Sequence, residues 1–504
     1  MKTAESRPAA GLSASLARID LNRIETVLFG ILAVVTLVAF ARFITRGTFY
    51  DEMFTLAMTA KEVPFSDFLH YLSLDVHPAG YFLLVYPVEH LGLEALPVLR
   101  LLNLIGVPLV IWGLMFAERH AVMTRQQSLV LGALCMSSFV FLSNFGEMRA
   151  YFLLACASVS LSAVWLVLAR STESGSALAK GHLAAWAAMV LLISNLQYYG
   201  AFLAGVMTLA LLIDLARTRS WGGALQLAAV SLAAVAPAGI LAVIQMGRQP
   251  ETFWISTTTF EAMFLMLDFV RDAIINNLAA FALAFVALAA LVERRRLAGA
   301  DRSAAILLAC VAGFFGFVLM LNMAVPMVIA RYLTPAIGPL LVAATLLALR
   351  PGAVRIAGVA IMGFAILAAT QAAVLNKHDR GGWEASAELV AQKVAACPST
   401  QVYAMWELPG LDGELAGAAY KKGYELMAAK YGLKLNSAPV GGFIPAGEAC
   451  PNIYWEAHAP NLAEHNAGPE WALAEGKLTA GGETWVEYTD SGALVYVAKD
   501  RPAN

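Results

Sequence analysis

Long apolar runs, separated by short polar turns, occupy most of the chain between about residues 25 and 375. A helix needs about 20 predominantly apolar residues to cross the hydrocarbon core of a bilayer. Runs of that order recur near 25–45, 98–117, 128–145, 151–169, 183–197, 200–216, 223–244, 272–292, 303–323, 332–349 and 355–375. The pattern predicts about eleven spans. The first run follows a polar start containing Lys2, Arg7, Arg18 and Arg23. It is too long for a secretory signal and no convincing small-residue cleavage site follows, so it reads as an uncleaved helix. The segment 78–91, PAGYFLLVYPVEHL, is short and carries Pro78, Pro87, Glu89 and His90. It reads as a juxtamembrane piece of one long first outer loop, about 46–97.

Composition agrees with the pattern. Hydrophobic residues make up 59% of the 504 positions, charged residues 14%, and the mean hydropathy is +0.67. Soluble domains carry about 25% charged residues. A purely cytosolic enzyme and a disordered chain are both excluded. The net charge of −2 provides no basic field, which argues against nucleic acid as a partner. Lys and Arg beside the membrane mark the cytoplasmic side. With the N-terminus inside, the cytoplasmic turns hold Arg119/Arg125, Arg170/Lys180, Arg217/Arg219, Arg294/Arg295/Arg296/Arg302 and Arg350/Arg355. Were 78–91 a full span, the later loops would swap sides and the ERRR turn would lie outside, against the charge rule.

After about residue 376 the character changes. HDRGGWEASAELVAQKV predicts an amphipathic helix, while TQVYAMWEL, NIYWEA and ETWVEYTDSGALVYVAKD predict short strands. Sixteen of the 36 acidic residues fall in this last quarter, as expected of a solvated surface. An odd number of spans puts this tail outside the cytoplasm. The expected organisation is a cytoplasmic segment 1–24, a membrane domain 25–376 and a soluble periplasmic α/β domain 377–504. Of the five cysteines, Cys135, Cys156 and Cys310 lie within apolar runs and read as small core residues. Cys397 and Cys450 lie in the polar tail, where they form either a disulfide or two unpaired thiols.

Ionisable residues near bilayer depth are costly, so their placement is informative. One face is expected to collect Asp51, Glu52, Asp75, His77, Glu147, Arg149, Arg248, Asp268, Arg271, Asp272 and Arg331. Asp51-Glu52 follows the first span directly. Adjacent carboxylates at an interface invite a counter-cation or a proton, and one can serve as a general base or help hold a metal. In Asp75-Val76-His77-Pro78 the proline stiffens the turn and biases His77 to extended backbone. That histidine is a candidate phosphate partner, proton carrier or metal ligand. In Glu147-Met148-Arg149-Ala150-Tyr151 the charges either pair internally, or Arg149 binds an anion with Glu147 orienting it. Asn195, Gln197, Tyr198 and Tyr199 form a polar aromatic cluster at the next outer turn. Arg331-Tyr332-Leu333-Thr334-Pro335 opens the tenth span, with Arg331 either a snorkelling anchor or a lipid-phosphate ligand.

Taken in order, the Asp-Glu pair, DVHPAGYFLL, GEMRAYFLL, the YYG turn, RYLTPAIGPL and the polar tail resemble the GT-C superfamily of polyprenyl-phosphate-sugar-dependent glycosyltransferases. Its bacterial branch includes protein O-mannosyltransferase-like enzymes, the lipid A aminoarabinose transferase and the galacturonosyltransferases of lipopolysaccharide core. The resemblance covers about residues 20–350. The chain departs from it at Pro78-Ala79-Gly80-Tyr81, where the family often has two prolines followed by Leu-Tyr. The resemblance implies a polytopic α-helical membrane protein of the bacterial inner membrane with a small C-terminal α/β periplasmic domain. It implies an inverting transfer of a sugar from a polyprenyl-phosphate donor to a glycan, lipid or protein acceptor. Asp51 would take the hydroxyl proton, with Glu52 positioning the acceptor or a cation. Arg149, Arg331 and His77 would face the donor phosphate, and Asp75, Glu147, Tyr151, Tyr198, Tyr199 and Tyr332 would line the substrate site. Family members differ over a divalent cation, and no closed ligand set is visible, so metal use stays open. The alternatives are a secondary transporter with a periplasmic domain, or a membrane scaffold. A transporter predicts internal repeats and midplane polar sites, and neither is found in the sequence.

Overall fold

The computed structural model describes residues 21–45, 47–48, 50–173, 177–247, 255, 257–275, 279–280, 282–284, 299–349, 355–375, 383–406, 411–457, 478–489 and 492–500. Arg248, the Arg294–Arg296 turn, Arg350, the N-terminal basic residues before Leu21 and the boundary at 376 lie outside them.

The chain is a bundle of apolar helices with an α/β tail. Helix α1 (Leu21–Ile44) is followed by three short helices, α2 (Tyr50–Thr59), α3 (Phe65–Leu74) and α4 (Gly80–His90). Residues 78–91 thus form a short helix, as the sequence implies, and not a span. Then come α5 (Leu96–Arg119), and α6 (Arg125–Ser137) with α7 (Phe139–Phe145). The predicted span 128–145 is broken here, because α6 and α7 are bent by 56° at Ser138. The bundle continues with α8 (Tyr151–Glu173), α9 (Lys180–Leu196), α10 (Tyr198–Arg217), α11 (Trp221–Met246), α12 (Thr259–Val270), α13 (Gly299–Ala324), α14 (Ala330–Ala348) and α15 (Arg355–Leu375). Among the described residues seven helices are long and apolar enough to span, or eight if the bent pair counts as one. The run expected over 272–292 is described only at 272–275, 279–280 and 282–284, the rest lying outside the described residues; ahead of it α12 opens at Thr259, where Thr258 and Glu261 form a capping box, and leads into a π-helical turn over Arg271–Ile275. A capping box satisfies two N-terminal N–H groups reciprocally, so it fixes the helix start more firmly than hydropathy does.

Protein leaves much of the apolar surface of the outer helices uncovered, as helices bordered by lipid require. Val34, Leu37, Leu225 and Leu232 are more than 60% exposed. A soluble protein does not sustain such apolar area. α8 is the opposite case, enclosed over its whole apolar length. Where α14 crosses it, a Cβ on Gly338 would overlap Ser158, and the Gly338 N–H donates instead to Ser158 Oγ at 3.1 Å. This close crossing places the start of α14 beside the start of α8.

The tail holds α16 (Trp383–Ala396) and α17 (Leu411–Tyr431) on a five-stranded sheet. Its strands are β1 (Val402–Ala404), β2 (Leu435–Ser437), β4 (Asn452–Glu456), β6 (Glu483–Tyr488) and β7 (Ala493–Ala498), while β3 (Phe443–Ile444) pairs separately with β5 (Thr479–Ala480). The order is β2-β1-β4-β7-β6, with β1 parallel to both neighbours and the β4–β7–β6 part antiparallel. Trp383, Tyr424 and Trp455 pack between helices and sheet, and Trp455 Nε1 donates to Ser386 Oγ at 3.0 Å. Cys397 and Cys450 are joined, their Cα atoms 5.8 Å apart. The tail does not hang free. Leu415 of α17 sits among Met58, Phe68, Leu72 and Phe82 of α2, α3 and α4. The Tyr420 ring lies 5.1 Å from that of Tyr50.

Candidate active site

The motifs meet where α2, the turn before α8, the N-termini of α10 and α14 and the α3–α4 turn come together. Asp51, in the first turn of α2, places Oδ2 2.7 Å from Nη1 of Arg331. Both side chains keep partial access to solvent, 17% and 26% exposed. The Arg149 guanidinium is buried and is held by backbone and side chain together. Its Nη1 donates to the Asp51 carbonyl at 3.3 Å and to Thr55 Oγ1 at 3.4 Å, and its Nη2 lies 3.0 Å from His77 Nε2.

The α3–α4 turn supplies His77. Its Nδ1 lies 3.1 Å from Asp75 Oδ1, so the carboxylate accepts the Nδ1 proton and leaves Nε2 facing Arg149 and the Tyr332 hydroxyl, 3.4 Å away. Burial alone would raise the Asp75 carboxyl. His77, Arg149 and the Val76 N–H outweigh that and hold it below the ordinary range. Gln245, at the end of α11, locks the turn by donating to the carbonyls of Leu72 at 2.7 Å and His77 at 2.9 Å. Gly80 explains the departure at Pro78-Ala79-Gly80-Tyr81. A Cβ there would overlap the Asn195 carbonyl, so glycine lets α4 close onto the end of α9.

Three tyrosines cluster beside these charges. Tyr332 lies 6.5 Å from Tyr151 and 5.2 Å from Tyr199, ring centre to ring centre, and Arg331 sits 5.8 Å over the Tyr151 ring. The Tyr199 hydroxyl donates to the Met327 carbonyl at 2.6 Å, and the Tyr198 hydroxyl donates to Gln245 Oε1 at 2.6 Å. The buried Tyr151 hydroxyl has no hydrogen-bond partner among the described residues. His77, Arg149, Tyr151, Phe82 and Gln197 line a small, narrow cleft.

The structure therefore gathers Asp51, Asp75, His77, Arg149, Tyr151, Tyr198, Tyr199, Arg331 and Tyr332. Two sequence candidates sit deeper. Glu147 is 3% exposed, and its backbone carbonyl accepts from Asn103 Nδ2 at 2.7 Å. Glu52 is fully enclosed and takes the Arg100 guanidinium on both oxygens. Asp268 and Asp272, expected on the same face, pair with Arg271 at the solvent-exposed end of α12. Arg100, Asn103, Thr55 and Gln245 were not singled out from the sequence. An Arg and an Asn three residues apart inside LPVLRLLNLIG were a visible signal, since polar groups in apolar runs seldom lack a partner. Among the described residues no three His, Cys, Asp or Glu side chains converge in a way that would hold a metal ion. Asp51 and Asp75 instead face Arg331 and His77.

With this arrangement described, the chain can be set beside known proteins. The crystal structure of ArnT from Cupriavidus metallidurans bound to undecaprenyl phosphate matches over 94% of this chain and 97% of that one, with a TM-score of 0.53 and 15% identity. Its apo state matches over 94% and 98%, with the same score and identity. The chain has the fold of ArnT. The ArnT-like architecture embraces the membrane bundle and the tail together, which agrees with the seating of α17 on α2. The polytopic helical bundle with a small C-terminal α/β domain implied by the motifs is thus the fold found. No protein-family model matches the sequence, and no curated protein matches it.

Proposed function

We propose that this multi-pass membrane protein is a glycosyltransferase that moves a sugar from a polyprenyl-phosphate donor to an acceptor hydroxyl, with inversion at the anomeric carbon. The observation that carries this reading is one carboxylate, Asp51, held 2.7 Å from Arg331 and bonded through its backbone carbonyl to the buried cation Arg149, which with His77 and Tyr151 lines a cleft. A donor phosphate entering the cleft competes with Asp51 for Arg331. The guanidinium turns to the phosphate and the carboxylate is released as a base. The acceptor hydroxyl gives its proton to Asp51 and attacks the anomeric carbon. The C–O bond to the phosphate breaks, and the charge left on the lipid phosphate falls to Arg149 and Arg331. Such electrostatic stabilisation is commonly the largest part of catalysis, about 3–4 kcal/mol for one well-placed donor. His77, with Nδ1 tied to Asp75, holds Arg149 through Nε2, and the Tyr151 hydroxyl is placed to meet a ligand oxygen. The ArnT structure bound to undecaprenyl phosphate supports the choice of lipid carrier.

The side of the membrane follows from charge. Arg302 bridges Glu173 at 3.0 Å and Asp214 at 2.9 Å, tying together the ends of α8 and α10 opposite the cleft. α8 has 23 residues, so its two ends lie roughly 34 Å apart at 1.5 Å per residue. Basic turns face the cytoplasm, which supports a reading with the cleft and tail in the periplasm of a bacterial inner membrane. The acceptor is then an envelope glycan, lipid or protein, and the sugar a hexose or pentose. Mass spectrometry of envelope glycans and lipids from cells with and without the gene tests the reading. A sugar present only with the gene supports it. Identical profiles, together with a purified protein that transfers nothing from polyprenyl-phosphate sugars, refute it.

A further inference from the structure

Glu52 and Arg100 form an ion pair with both side chains sealed from solvent, 0% and 1% exposed. The Arg100 fork donates from Nε to Glu52 Oε1 at 2.9 Å and from Nη2 to Oε2 at 2.7 Å. The same guanidinium donates to the carbonyls of Ile44 at 2.7 Å and Gly47 at 3.0 Å. Glu52 Oε1 in turn accepts the Met148 N–H at 2.7 Å. Three residues along α5, Asn103 Nδ2 donates to the carbonyls of Phe145 at 2.8 Å and Glu147 at 2.7 Å. The Glu52–Arg100 pair therefore joins four segments: the chain at the end of α1, the first turn of α2 that bears Asp51, α5, and the turn that bears Arg149.

We infer that Glu52 does not touch acceptor, metal or donor, and that Glu52 and Arg100 are positioning residues that fix the distance between the Asp51 carboxylate and the Arg149 guanidinium. The inference rests on the glycosyltransferase reading for what that distance is for, and it moves Glu52 from the reacting centre to the frame around it. Bidentate Arg–carboxylate pairs impose direction as well as attraction, which suits a frame. Breaking one half of a buried pair leaves an uncompensated charge, whereas neutralising both halves together is tolerated far better. A residue that meets substrate shows no such rescue.

The test uses full-length protein in lipid nanodiscs and the donor sugar identified by the glycan comparison. Glu52→Gln and Arg100→Gln are each expected to lower kcat by about a hundredfold or more. The double variant keeps an amide donor towards the Ile44 and Gly47 carbonyls and an acceptor for the Met148 N–H. It is expected to return to within about tenfold of wild type, with the acid limb of its pH–rate profile where wild type has it. If the double variant is monodisperse, melts as wild type does and stays as inactive as Glu52→Gln alone, the inference is overturned. Where that pair does not fold, Glu52→Leu with Arg100→Met replaces it under the same criteria. If wild type moves no sugar, the functional reading fails on its own. The frame is then decided by affinity for undecaprenyl phosphate in native mass spectrometry: weakening in the single variants with recovery in the double supports it, and no recovery overturns it.

Discussion

Replacing Asp51 by Asn removes one charge and almost no volume, so its consequences separate chemistry from folding. The Asp51–Arg331 contact is partly open to solvent on both sides. Partly exposed pairs contribute about 1 kcal/mol or less, and the variant is expected to insert and fold normally. The catalytic loss is of another size. Removing a positioned general base costs about 10²–10⁴ in rate, which is about 2.7–5.5 kcal/mol of barrier. The geometry also says where the loss appears. Arg331, freed of its counter-charge 2.7 Å away, meets a donor phosphate at least as well as before. KM for the lipid-linked donor is therefore expected to stay level or fall while kcat collapses. Arg331→Ala should do the reverse in part, raising donor KM and lowering kcat by about 10²–10³, the usual loss for one transition-state donor. Initial rates against donor concentration, with purified protein in nanodiscs, measure both. An Asp51→Asn enzyme with kcat within tenfold of wild type would show that the base lies elsewhere, with Asp75 and Glu147 the next carboxylates to test. A loss confined to KM would show that Asp51 only binds.

Reporter fusions at residue 500 should be active with an enzyme that works only in the periplasm, while activity restricted to a cytoplasmic reporter would move the cleft to the other side. Opening the Cys397–Cys450 link, which closes 53 residues, should destabilise the tail by about 4 kcal/mol in the chain-entropy model, read as a lower melting temperature of Cys397→Ser/Cys450→Ser. Burial raises the Glu89 carboxyl to about 7, with Lys422 and Thr59 opposing the shift and Glu94 and Glu62 adding to it. The folded state thus holds a proton that the unfolded chain releases near its ordinary value, so stability should fall as pH rises from about 4.5 to 7. Glu89→Gln should flatten that part of the melting profile, and an unchanged slope would contradict the assignment.

The bilayer made the helices legible, because it dictates both length and composition. Apolar runs and basic turns located α1, α8, α10, α11 and α15 within a few residues. Motif order brought Asp51, His77, Arg149 and Arg331 together before any coordinates. What escaped notice had weaker local signals. The 56° break at Ser138 lies inside an unbroken apolar stretch, where hydropathy carries no directional information. α17 escaped because its inward face is made of small and amphipathic groups, Ala419, Tyr420, Gly423 and Tyr424, in a segment rich in Lys and Glu. The fate of Glu52 was hidden for a different reason. Adjacent carboxylates look alike in a sequence, and only the arrival of Arg100 from α5 shows that one of the two faces inwards.

The seating of α17 on α2 also sets an order of events in the making of the protein. Tyr50 and Met58 emerge early from the ribosome, while Tyr420 and Leu415, which cover them, follow about 360 residues later. At 5–20 residues per second that interval is roughly 20–70 s. Until then α2 lacks the contacts that α17 makes with it. The helix that bears Asp51, near the beginning of the chain, is thus packed by a helix made near its end, and a nascent chain that has already placed every apolar helix of the bundle still lacks that contact.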